Sequence, residues 1–244
     1  MAQYWTALQV LTQVAGELGL PQPTTVTGLS DVQSIQLLSL LNSGGNELML
    51  YYPWEQFLKD WTFDTVFDQS DYDLPVDCNY LVDQTQWDKT NRWPLLGPKS
   101  AQEWAWLKNS LIATLPRMRY RIASNKFMLY PAPSAQGSPP THTLNIQYIS
   151  TGWVKRASGE VTDLISLDGD TLLYNPWLLV KFVKFKFYEL KGFATTGVNA
   201  DFMRVFDNLT GKDTGAKILS LSPQMISPYI GPWSVPDGSW NIYG

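Results

Sequence analysis

The hydrophobic period of this chain changes twice, and that double change limits the folds open to it. Apolar residues first recur at three- and four-residue spacings, as in Tyr4, Leu8, Leu11, Ala15 and Leu18. From about Trp61 short alternating runs replace them, ending in Leu144, Ile146 and Tyr148. From Asn175 the helical period returns, with Trp177, Val180, Lys184 and Phe187 along one line. The expected fold class is therefore α+β. N- and C-terminal helices form one helical bundle, and a β-rich insertion of about a hundred residues, a small sandwich or barrel, lies between them.

Local signals set the expected boundaries. Gly19 ends the first helix, and Pro21 and Pro23 forbid its continuation. A second helix starts at Ser30 or Asp31 and runs, bent at Pro53 and weakened at Gly44-Gly45, to Leu58. Strands are expected near 62–67, 72–75, 80–82, 117–122, 126–130 and 143–150. The helix at 100–115 opens with the capping box Ser100-Ala101-Gln102-Glu103. Asn175 caps a further helix, Pro176 takes its first position and Gly192 stops it. The last helix spans Asn199 to Leu209 and closes at Gly211. The domain boundaries follow: helices in 1–58, the β-rich insertion in 59–170, returning helices in 171–212, and an extended arm in 213–244.

That arm combines Pro223, Pro228, Pro232 and Pro236 with Ile226, Tyr229, Ile230, Trp233, Trp240, Ile242 and Tyr243. The prolines exclude helix and central strand, while a disordered tail is ordinarily poor in aromatics. An arm that lies in a groove of another chain has this composition, which makes Tyr229, Trp233, Trp240 and Tyr243 the candidate partner-binding residues. Composition points the same way. Charged residues are only 16% of the chain, against 11 Trp and 12 Tyr. So few charges leave surface for other chains to cover, although a Trp-rich core explains the rings equally well.

Most enzymatic chemistry lacks its residues. No phosphate-cradling glycine motif and no Gly-x-Ser-x-Gly elbow occurs. One Cys (Cys78) and one His (His142) cannot build a zinc site, and no catalytic residue, metal site or cofactor is expected. The acidic stretch Asp64, Asp68, Asp71, Asp73, Asp77, Asp83 and Asp88 suits turns between strands better than calcium or a glycosidase pair. Lys181, Lys184, Lys186 and Lys191 imitate a nucleic-acid run, but a solvated or subunit-contacting face accounts for them. The net charge of −4 likewise gives no footprint for duplex DNA. No stretch is long and apolar enough for a membrane anchor, and the N-terminus lacks a signal peptide's basic start, so synthesis in a host cytoplasm is expected.

The stretch Trp87-Asp88-Lys89-Thr90-Asn91-Arg92-Trp93-Pro94-Leu95-Leu96-Gly97-Pro98 follows Tyr72-Asp73-Leu74-Pro75-x-Asp77 and precedes Arg119-x-Arg121. Together they resemble bacteriophage head-to-tail adaptor proteins of the tail tubular protein A-like, or gatekeeper, group of short-tailed phages. The helix–β–helix layout agrees over roughly residues 28 to 212. The resemblance implies a non-enzymatic virion protein at the head–tail junction: a homo-oligomeric ring, commonly of twelve subunits. Its partners would be the portal protein and a tail nozzle or tail tube protein, with DNA passing through the lumen unbound. Physically, Trp87, Asp88, Arg92 and Trp93 form a structural corner, in which Arg92 stacks on or pairs across its neighbours. The alternative is a carbohydrate- or ligand-binding β module, whose exposed rings would stack on sugars and whose chain would be all-β. A cell-wall-degrading enzyme using an Asp pair is the third reading.

Overall fold

The computed structural model of the protein describes residues 4–109, 117–133 and 141–213. They fall into two units. One contains residues 4–58 and 149–213, and the other is built from the described residues between 59 and 148.

In the first unit, local chemistry sets the helix ends. Thr6 and Gln9 form a reciprocal capping box that starts α1 (Ala7–Leu18). Gly19 ends the helix in the left-handed region at φ 68°, its N–H reaching back to the last turn. Asp31 caps α2 (Val32–Tyr51) by accepting from Ser34 N at 3.0 Å. Asn175 accepts from Trp177 N at 3.0 Å, Pro176 opens α4 (Pro176–Lys191), and Gly192 closes it at φ 71°. The last helix, α5, covers Thr196–Asp213.

Two expected boundaries are corrected. The second helix does not continue to Leu58: it stops at Tyr51, where Pro53 removes a donor, and a short 3₁₀ turn at Glu55–Phe57 follows. Gly211 does not close the last helix but lies within it, because its backbone there is ordinary helix.

Packing in this unit turns on small residues in the middle of α2. Gly44 and Gly45 are buried, and a Cβ on Gly45 would fall inside the indole of Trp153. Trp153 is fully buried and donates from Nε1 to Asn46 Oδ1 at 2.8 Å. Tyr174 Oη donates to Gly45 O at 3.1 Å. Three short strands, β9 (Val154–Lys155), β10 (Val161–Thr162) and β11 (Thr171–Leu172), form a small antiparallel sheet in the order β10-β9-β11 beside these residues. The helical unit therefore carries a sheet of its own.

The second unit holds the other strands: β1 (Leu58–Asp64), β2 (Asp71–Asp73), β3 (Cys78–Leu81), β4 (Trp87–Asp88), β5 (Trp93–Pro94), β6 (Arg119–Ala123), β7 (Lys126–Tyr130) and β8 (Thr143–Ser150). One sheet runs β1-β8-β4-β5 with β3 also paired to β8, and a second runs β2-β7-β6. Ser124 and Asn125 take φ 53° and 58° between β6 and β7, a two-residue hairpin turn. The side chains of Tyr72, Tyr120, Phe127, Leu129, Leu144 and Ile146 form its core. The helix α3 (Ala101–Asn109) buries Trp104 and Leu107.

The expected sandwich or barrel is thus overturned. The fold is mixed, with five helices and three small antiparallel sheets among the described residues, none of them closed. Most of the strands have two to five residues, too few to close a barrel or to face a second sheet along their length. The strands near 72–75 and 80–82 enter different sheets: β2 joins β7 and β3 joins β8. The expected arm, 213–244, lies outside the described residues except at Asp213.

Gly45→Ala is expected to cost about 1–3 kcal/mol, because the buried indole of Trp153 has nowhere to move. Gly16→Ala, on an exposed helical position where only the Gln22 amide is near, should stabilise by about 0.5–1 kcal/mol. Urea denaturation of the two variants checks both signs; equal effects would remove the packing argument.

Candidate assembly surfaces and the tryptophan corner

The Trp87–Pro98 stretch forms a turn between two strands and then an exit. Trp87 pairs with Pro94 and Asp88 with Trp93, while on the other side Trp87 faces Asn145 and Asp88 faces Leu144. Alternation sends Asp88 inward and leaves Trp87 exposed. Asp88 Oδ1 accepts from Thr90 N at 2.9 Å and Asn91 N at 3.2 Å, so the carboxylate satisfies the turn's backbone donors. Its Oδ2 lies 3.0 Å from His142 Nδ1. The main chain of His142 is paired as well, its N–H donating to Thr65 Oγ1 at 2.8 Å and its carbonyl accepting from Thr65 N at 2.8 Å.

Arg92 sits at φ 59° and is exposed, and among the described residues it makes no ion pair or ring contact. The corner is held by Asp88 and His142 rather than by stacking of Arg92. After Pro94 the chain runs alongside β6, with Leu96 N donating to Met118 O at 3.0 Å and Tyr120 N to Leu96 O at 3.1 Å. A Cβ on Gly97 would strike Tyr120, so the approach requires glycine. Ser100 and Glu103 then exchange the expected hydrogen bonds, at 3.0 and 3.2 Å, and α3 begins.

The acidic stretch is dispersed. Asp64 accepts from Thr143 Oγ1, Asp73 lies 3.8 Å from Lys126, and Asp77 takes both Lys59 at 2.6 Å and Tyr148 Oη at 3.0 Å. Asp68 stands at a turn with φ 59°. Among the described residues no group of three or more His, Cys, Asp or Glu is placed to hold a metal ion. The ring of His142 meets Asp88 and Asn91, a pinning arrangement that needs no nucleophile. Burial and the neighbouring Asp77 push the Cys78 thiol up to about 11.

The lysine run of α4 is turned inward. Lys181 and Lys184 both reach Glu17 Oε2 of α1 at 3.0 Å, and Lys186 reaches Glu47 Oε1 of α2 at 2.8 Å. Lys191 lies over the Phe187 ring. Lys181, Lys184 and Lys186 therefore tie helices together instead of forming the solvated or subunit-contacting face expected of them. Burial alone would raise the Glu17 carboxyl, but hydrogen bonds from Lys181, Lys184 and Gln13 outweigh it and leave Glu17 below its ordinary value.

Apolar surface remains on the helical unit. Tyr51, Phe182, Phe185, Asn199, Phe202, Met203 and Phe206 line an aromatic groove of about 320 Å³. Phe185 and Phe202 stack at an interplanar angle of 7°, while Tyr51 and Met203 are exposed along its edges. At another place Trp5 packs on Trp177, whose ring is half exposed. The groove was not foreseen from the sequence. Its signal was the recurrence of Phe at three- and four-residue spacings on two successive helices. The candidate partner-binding residues Tyr229, Trp233, Trp240 and Tyr243 lie outside the described residues. No described helix is long and apolar enough to cross a membrane.

Two expectations follow. Asp88→Ala should destabilise the β-rich unit by about 1–3 kcal/mol, since it orphans two turn donors and the imidazole; near-ultraviolet circular dichroism against urea reads this, and an unchanged midpoint would refute it. Glu17, with its pKa depressed on folding, stabilises the protein above about pH 4.5, and that contribution is lost as pH falls through the lower folded value. Melting temperatures between pH 6 and 3 should therefore fall less steeply for Glu17→Gln than for the parent chain.

A family model described as SU10 adaptor protein matches residues 5–219 of this chain. No curated protein matches it.

Proposed function

Because the chain belongs to the SU10 adaptor protein family, a phage head-to-tail adaptor family, we propose that it forms a closed ring of about twelve copies joining the portal to the tail. Adaptor membership itself makes it a structural component of a phage particle. The family match over residues 5–219 is the observation that carries the reading. Several physical features support it. The charge-poor chain exposes large apolar side chains on its helical unit, among them Val32, Leu50, Tyr51 and Trp177. Three of its four α4 lysines, Lys181, Lys184 and Lys186, are engaged by Glu17 and Glu47, so the run does not form a face that would grip DNA. A lumen that passes DNA has to avoid binding phosphate.

In this reading the ring contacts the portal protein on one side and a tail nozzle or tail tube protein on the other. Residues Tyr229, Trp233, Trp240 and Tyr243 act as apolar anchors between subunits. The tryptophan corner keeps a structural role, with Asp88 fixing the turn and Trp87 exposed beside it. The sugar-binding alternative required an all-β chain, and the five described helices count against it.

Mass photometry of the chain mixed with the portal ring of its own phage tests the proposal. A discrete step, an integer multiple of 27.6 kDa above the portal mass, is the expected result and counts the subunits. An unshifted portal peak beside folded chain would overturn it.

A further inference from the structure

We propose that the aromatic groove between α4 and α5 receives the Tyr229–Trp233 segment of a second copy of this chain. The inference rests on the reading that copies assemble with one another, and it names the surface through which they do so.

The groove and the segment are matched in chemistry. The groove walls carry the rings of Phe182, Phe185, Phe202 and Phe206, with Asn199 as the polar exception. Between Lys217 and Asp237 the chain has no charged side chain, and within that stretch Tyr229-Ile230-Gly231-Pro232-Trp233 concentrates the large apolar groups. A tyrosine and a tryptophan offer wide rings with few rotors to immobilise, which favours them as anchors in an apolar pocket. The charges nearest the groove are already paired, Lys186 lying over the Phe182 and Phe185 rings and bound to Glu47, which also accepts from Tyr51 Oη.

Reach allows a second copy to be the donor. The last described residue, Asp213, ends α5, and Phe206 lies only about 10 Å back along that helix. Trp233 comes twenty residues after Asp213, and prolines recur at 223, 228 and 232. Twenty residues can span at most about 70 Å. A unit of this size has a radius of gyration of about 14 Å, hence a width of about 35 Å. That reach is enough for the anchors to cross to the groove of a neighbouring copy.

Cross-linking of the free full-length chain tests this without the portal. One preparation carries Met203→Cys at the groove edge, and the other carries Trp233→Cys. Cys78 stays in place, since its raised pKa keeps it protonated and slow to react. Arg204→Cys, adjacent on α5 and not among the groove residues, is the control. Mixed at about 100 μM under mild oxidation, the Met203→Cys and Trp233→Cys chains should form a disulfide-linked dimer at least tenfold faster than the control pair. Equal rates, or no dimer, would overturn the groove assignment. A chain bearing both Met203→Cys and Trp233→Cys that closes only on itself, when isotopically mixed copies are digested and weighed, would overturn the second copy as occupant. Dimers without portal binding would sink the adaptor reading and leave this inference standing; portal binding without dimers would do the reverse.

Discussion

In the helical unit the backbone of α2 comes within van der Waals reach of a buried indole, and the packing around it depends on that approach. Gly45 removes the Cβ that would collide with Trp153, and Gly44 lets the Phe182 ring of α4 pack close against the same helix. Polar groups flank the glycines and dock the segment that follows β8. Asn42 accepts from Ile165 N at 2.9 Å, Asn46 from Trp153 Nε1, and Gly45 O from Tyr174. Phe57, Trp54 and Tyr174 meet edge to face on the same cluster. A glycine pair that looks in sequence like a weak point is therefore the place where the first and last parts of the unit are joined. The usual cost of glycine in a helix is offset by burial that no larger residue permits.

Electrostatics is handled in the same economical way. Five charges of the helical unit tie its helices together, with Glu17 bridging two lysines of α4 and Glu47 holding a third. Apolar groups share the outer faces with the remaining charges: the aromatic groove, the Trp5–Trp177 pair and the exposed ends of α2. Such a surface is unusual for a solitary monomer and natural for a chain that completes itself against neighbours. Membership of an adaptor family gives that surface a purpose.

Helix ends were legible in the sequence because capping is local chemistry. Gly19, Ser100 with Glu103, Asn175-Pro176 and Gly192 each act where their side chains or φ angles demand. Where the deciding partner is far away, the sequence was silent or misleading. Pro53 reads as a kink within one helix, yet it ends α2, since the following residues turn into β1. Gly211 reads as a stop, but the helix runs on to Asp213, whose carboxylate accepts from Glu55 N at 3.0 Å. A small sandwich or barrel seemed natural from the strand count, but pairing partners decide sheets, and β2 and β3 went to different ones. The Asp88–His142 link spans 54 positions, and no periodicity announces it. The family resemblance was visible in the Trp87–Pro98 stretch, whose folding logic of a carboxylate-pinned turn followed by a glycine close approach emerges only in three dimensions.

The central claim is that this chain is a structural subunit of the junction between head and tail. Electron cryomicroscopy of intact virions, reconstructed around the portal vertex, addresses it most directly. The account predicts a closed ring of density beneath the portal into which the helical unit and the β-rich unit each fit as separate bodies, with the α4–α5 groove of every copy filled. A portal vertex whose density is fully explained by other proteins, with this chain elsewhere in the particle or absent from it, would contradict the account.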